Sequence, residues 1–213
     1  GHVPVFSGCA LETPRRRAAD RGRPLACGRT VRAFSLCRRR RSRSSSTGSL
    51  MLALTPASVR SSFVNVSTRE RNALVVPTDL AANDWDRLDY FGWRDPKAPL
   101  LGFVVAEIDG TPVGLQLRQA EQPTRSRPQC SWCADVTLPN DVVFFSARRA
   151  GKAGRAGNTV GTLLCANFEC SRNVRRLDPP AYLGHDAAAA RDRRIEALRT
   201  RLDSFFRDVR DGA

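Results

Sequence analysis

Two close pairs of cysteines, set about thirty residues apart, constrain this chain more than any other feature. Cys130-Ser-Trp-Cys133 is followed, after thirty-one residues without cysteine, by Cys165-Ala-Asn-Phe-Glu-Cys170. A spacing of this kind collects four thiolates at the corners of a tetrahedron, where they can share one ion. The chain between the pairs has its own pattern. Asp141-Val-Val-Phe-Phe-Ser146 and Thr159-Val-Gly-Thr-Leu-Leu164 are β-rich runs, and a Gly/Lys/Arg loop lies between them at 148–158. After Cys165, residues 166–177 are expected to be helical, with Phe168 and Val174 on the apolar face.

Knuckle, hairpin, then a helix whose first turn carries the last two ligands is the order of a treble-clef zinc finger. Cys130, Cys133, Cys165 and Cys170 are the candidate ligands and Zn2+ the expected cofactor. Four sulfur ligands close a site to substrate, so the ion would be structural. Three other readings stay open, the first being a disulfide pair. Free cysteine is often a small buried hydrophobe, and a CxxC can be a redox couple, although such couples normally open a helix beside a βαβ unit.

Net charge is +14, unevenly spread. Residues 1–50 carry a net +10, residues 51–124 a net −2, residues 125–176 a net +6 and residues 177–213 none. The first fifty residues hold Arg15-Arg16-Arg17, Arg38-Arg39-Arg40-Arg41 and a Ser-rich run, with little apolar periodicity, so a disordered arm is expected there. The chain opens on glycine, and its only methionine, Met51, stands where the globular pattern begins. Residues 1–50 are therefore read as upstream of the native start; a phosphate-binding arm or an acidic-poor targeting peptide are the competing readings. Cys9, Cys27 and Cys37 in this arm lack ligand spacing. No window approaches the ~18 consecutive apolar residues of a membrane span. With no export signal in the pattern, paired cysteines are expected to stay reduced in a cytoplasmic, monomeric protein with no membrane partner.

From Met51 the pattern is orderly. Thr55-Pro56 opens a short helix to about Phe63, and Ser67-Thr-Arg-Glu70 has capping-box spacing for a second one ending at Pro77. Residues 79–99 read as a helical turn and then a loop over a satellite core of Trp85, Tyr90, Phe91 and Trp93. Leu100–Ile108, Asp109-Gly110 and Thr111–Arg118 form a strong hairpin signal, with Gln116 and Arg118 on its wet face. Near the other end, Ile195, Leu198, Leu202, Phe205, Phe206 and Val209 recur at helical spacing and predict one amphipathic helix packed on the domain. The expected fold class is α+β: β-hairpins and a four-cysteine treble clef, with a disordered N-terminal arm (1–50) and a C-terminal helix (181–213). The finger occupies 128–177 within a domain at 51–180.

Neither a nucleophile–base constellation nor a phosphate loop emerges, and a non-enzymatic binding role is expected. The basic hairpin tip suits an acidic protein face or an RNA backbone. Pro128-Gln-Cys-Ser-Trp-Cys133, then Leu138–Ala150 and Gly161–Cys170, resembles the C-terminal treble-clef zinc finger of the elongation-factor-G-binding, FusB-type fusidic-acid-resistance proteins. The resemblance covers roughly 60–180 and leaves the C-terminal helix outside. It implies zinc on the four cysteines and docking on translation elongation factor G, with modulation of that factor's release from the ribosome. Phe144, Phe145, Arg148 and Arg149 fall in the stretch expected near the partner, with Lys152 and Arg155 of the basic loop beside them. The family's resistance proteins carry an N-terminal helical bundle that residues 1–50 cannot form, which favours a minimal relative. Direct contact with ribosomal RNA is the alternative function.

Overall fold

In the computed structural model, residues 51–122, 128–136, 141–179 and 182–212 are described. The expectations for residues 1–50 lie outside them. Thr55 caps α1 (Pro56–Ser62) and Ser67 caps α2 (Thr68–Ala73), each through a reciprocal capping box with the residue three positions on. The second helix stops at Ala73, short of Pro77, because Leu74 is already extended. Two 3₁₀ turns follow, at Leu80–Ala82 and Trp85–Arg87.

The sheet has five antiparallel strands in sequence order: β1 (Phe91–Arg94), β2 (Leu101–Ile108), β3 (Thr111–Gln119), β4 (Val142–Arg148) and β5 (Thr159–Cys165). Asp109 and Gly110 turn the β2–β3 hairpin with φ of 54° and 72°, both in the left-handed region that a two-residue turn of this type requires. β1 corrects the expected loop. Its Phe91 and Trp93 alternate inward, and Gly92 and Arg94 face the other way.

Both faces of the first strands are covered. Phe103 and Val105 of β2 join Val59, Phe63, Leu74 and Trp93 in one core, under α1. Val104, Ala106 and Ile108 join Leu115, Leu117, Phe145 and Leu164 in the other. That double burial is why β2 reads as a nearly continuous apolar run. The second core is closed by α5 (Ala187–Asp211), which buries Leu198, Leu202, Phe206 and Val209, the stripe the periodicity marks. Among the described residues, no helix is long and apolar enough to cross a membrane.

β3 and β4 are in register at Arg118–Ser146 and Gln119–Phe145, with one more main-chain bond from Ala120 N to Phe144 O at 2.9 Å. Beyond that point the side chain of Asn65 fills the gap. Its Nδ2 donates to the carbonyls of Gln116 and Arg148, both at 3.0 Å, and its Oδ1 accepts from Gln116 N at 2.8 Å. A buried side-chain amide thus bridges β3 and β4 where their registered pairing stops.

Candidate metal centre

The knuckle at Cys130–Cys133, the end of β5 and the start of a short helix, α4 (Cys170–Val174), converge on one point. All four Sγ atoms lie within 4.8 Å of one another and all four residues are buried. Cys130 and Cys170 Sγ are 3.6 Å apart, Cys133 and Cys165 Sγ 3.7 Å, and none is in a disulfide. Sulfurs placed 2.3 Å from a central Zn2+ in a regular tetrahedron lie about 3.8 Å apart. The sulfurs therefore fit that ion. Among the described residues this is the one group of three or more His, Cys, Asp or Glu side chains near enough to share a metal.

The helix expected over 166–177 is cut to five residues. Phe168 takes a φ of 60°, which a right-handed helix cannot include, so Cys165 stays on the strand and only Cys170 begins the helix. The left-handed kink turns the Phe168 ring into the sheet, 5.4 Å from Phe145. Gly92 and Gly102 make the space: a Cβ on either would come within 2.7 Å or 2.5 Å of Phe168. Arg94 seals the turn, donating from Nε to Ala166 O at 2.7 Å with its guanidinium 4.7 Å from the Phe145 ring centroid.

Without a cation, the four thiols hold one another in unlike states. S–H donation from Cys133, Cys165 and Cys170 pulls the Cys130 thiol far below its usual range. Cys130 pushes Cys133 up, but donors on Cys165 and Cys170 bring it down to about 7. Cys165 and Cys170 are pushed up, first by Cys130 and then by Cys133. Two thiols are thus shifted down and two up, the result of four crowded groups sharing their protons; a bound cation would replace those protons.

Around the sulfurs stand residues that spacing alone does not mark. Asn173 Nδ2 reaches Cys165 Sγ at 3.6 Å and Cys133 Sγ at 3.8 Å. Tyr90, just before β1, lies edge-on to Trp132 of the knuckle at 5.0 Å, and burial, then the neighbouring Cys170, push its phenol far above its ordinary range. Trp132 also meets Phe205 of α5 at 5.7 Å, and its carbonyl accepts from Arg201 at 2.8 Å. The hint in the sequence is the aromatic inside Cys130-Ser-Trp-Cys133.

The residues expected near a partner separate. Phe144 is exposed and lies over Gly161, but Phe145 is fully buried, because alternate residues of β4 face the α5 core. Arg149 is held against α5, with Nη1 on Asp208 O at 2.7 Å and Nη2 on its carboxylate at 2.8 Å. Arg148 bonds Glu70 at 3.2 Å and lines a cleft of about 330 Å³ with Arg118, Gln116 and Ser146. Lys152 and Arg155 are exposed on α3 (Gly151–Arg155), a helical turn where a loop was expected.

Among solved structures, the fusidic acid resistance protein FusC resembles this chain at 17% identity and a TM-score of 0.45, over 59% of this chain and 54% of that one. The present chain thus spans about half the length of that protein. No curated protein matches the sequence significantly. The profile of the family described as FBP C-terminal treble-clef zinc-finger matches residues 58–209, and so takes in α5, which the sequence reading left outside. With four buried thiols set between a knuckle, a hairpin and a helix start, and that profile spanning well over half of the chain, the protein belongs to the FBP C-terminal treble-clef zinc-finger family.

Proposed function

We propose that this protein is a non-enzymatic module that binds Zn2+ through Cys130, Cys133, Cys165 and Cys170, and uses the surface so stabilised to bind translation elongation factor G. Binding would modulate that factor's release or turnover on the ribosome. Family membership across 58–209 carries this reading, supported by the tetrahedral fit of the sulfurs. A closed four-thiolate ion contributes folding free energy and leaves no open coordination position for substrate. Partner contact would fall on Phe144, Arg148, Lys152 and Arg155, which are exposed on one hairpin and the turn that joins its strands.

The test is calorimetric titration of the zinc-loaded protein into purified elongation factor G at two salt concentrations. One-to-one binding with a modest salt response supports the reading, and no heat at either salt overturns it. The competing partner is ribosomal RNA, favoured by the net +6 of residues 125–176. Affinity for RNA would fall steeply with salt as counterions are released. The ion pairs argue for the protein partner, since Arg149 and Arg175 of that segment already face Asp208 and Asp89.

A further inference from the structure

Four thiolates around one divalent cation leave a net charge of −2, and here the sulfurs belong to residues no more than 5% exposed. Charge buried to that degree is costly unless donors meet it. One donor already meets the sulfurs, and a second buried polar group stands near them from a different part of the chain. Asn173, itself 2% exposed, has its Nδ2 3.6 Å from Cys165 Sγ and 3.8 Å from Cys133 Sγ. Tyr90, also 2% exposed, has a buried hydroxyl that makes no hydrogen bond, to sulfur or to any other acceptor. A buried O–H without an acceptor is destabilising, and the side chains that act on this phenol electrostatically are Cys170 first, then Cys130 and Cys165. Trp132 packs against the phenol ring with the ring centroids 5.0 Å apart, which holds the ring, and so its oxygen, in place.

We propose that Asn173 and Tyr90 are positioning residues of the metal centre: the Asn173 amide donates to Cys133 and Cys165, the unpartnered Tyr90 hydroxyl turns to the Cys170 thiolate once the ion is bound, and together they set the affinity for the ion. This rests on the zinc reading above. Asn173 belongs to the finger's own helix, but Tyr90 lies forty residues ahead of the first ligand. The metal site is therefore completed by chain outside the treble clef, and an isolated finger would lack one of its donors.

The test compares the full chain with Tyr90→Phe and Asn173→Ala, loaded with Zn2+ or Co2+. Zinc affinity is read by competition with a chromophoric chelator, and the Co2+ form is read by its thiolate-to-metal charge-transfer absorption. Removing a partner of the kind that orients a ligand weakens binding by about 10–100-fold, and that loss is expected for Asn173→Ala. Losing a donor to sulfur raises the energy of its lone pairs, so the charge-transfer band should move to longer wavelength in both variants. Packing damage alone would leave the band in place. Tyr90→Phe removes a single oxygen and keeps the ring, so it remains informative if Asn173→Ala folds poorly. Unchanged affinity and an unchanged band in a folded Tyr90→Phe variant, with the same in Asn173→Ala where it folds, overturn the proposal. A wild-type chain that takes up neither ion overturns the zinc reading itself, which is a separate outcome.

Discussion

The carboxylate of Asp89 accepts a hydrogen bond from Arg199 Nε at 3.0 Å, across 110 residues of sequence. Its side chain is 1% exposed, and Arg175 of the finger region reaches the same oxygen from Nη2 at 3.1 Å. The Asp89 main-chain N–H also donates to Ser171 Oγ at 3.1 Å. One buried acid thus joins the segment before β1, the finger helix and α5. Asp89→Ala would leave two guanidinium groups facing each other without a counter-charge, at a cost of about 3–5 kcal/mol. Urea unfolding should show that loss, and a change below about 1 kcal/mol would mean the arginines find water instead.

The Asn65 amide bridges β3 and β4 between Gln116 and Arg148. Asn65→Ala strands a buried N–H and two carbonyls, each costing about 1–3 kcal/mol when left unmet. Equilibrium unfolding should shift accordingly, and hydrogen exchange should rise first at the ends of β3 and β4. Protection unchanged at Gln116 would show that the strands close up without it.

Gly102 faces Phe168 so closely that an added Cβ would stand 2.5 Å from the ring. Gly102→Ala should push Phe168 out of its slot and disturb the turn between Cys165 and Cys170. Overpacking of this kind costs about 1–3 kcal/mol. Zinc affinity should fall along with stability, and a stable variant with full affinity would show that the turn does not need the ring.

Glu70 accepts from Ser67 N at 2.6 Å and from Arg148 at 3.2 Å, and the Ser67 backbone N–H, then its hydroxyl, hold the carboxyl below its ordinary range, with Arg148 adding to the effect. A carboxylate lowered by folding stabilises the folded state above its unfolded pKa of about 4.3, and that contribution disappears as pH falls through the folded value. The stability gap between wild type and Glu70→Gln should be full at neutral pH and narrow on acidification below about pH 4. A gap that stays constant to pH 3 would assign the cap to Ser67 alone.

Spacing and periodicity made the four-cysteine cluster, the β2–β3 hairpin and α5 legible, because each rests on a pattern that local chain geometry fixes. The short helix after Cys165 was not legible, since Phe168 adopts its left-handed conformation only because Gly92 and Gly102, some seventy residues earlier, leave room for the ring. β1 was hidden for the same reason: its glycine reads as a loop signal until Phe168 fills the place of a side chain. Phe144 and Phe145 look equivalent in sequence, and only strand register separates an exposed ring from a core one. Tyr90 and Asp89 meet partners far away in the chain, and no spacing rule points to them.

The most direct test of the account is to measure binding of elongation factor G before and after zinc is removed. The metal-loaded protein should bind one-to-one, lose that binding with its folded circular dichroism spectrum when a chelator strips the ion, and regain both when Zn2+ is restored. A stripped protein that binds equally well, or a loaded protein that does not bind, would contradict it.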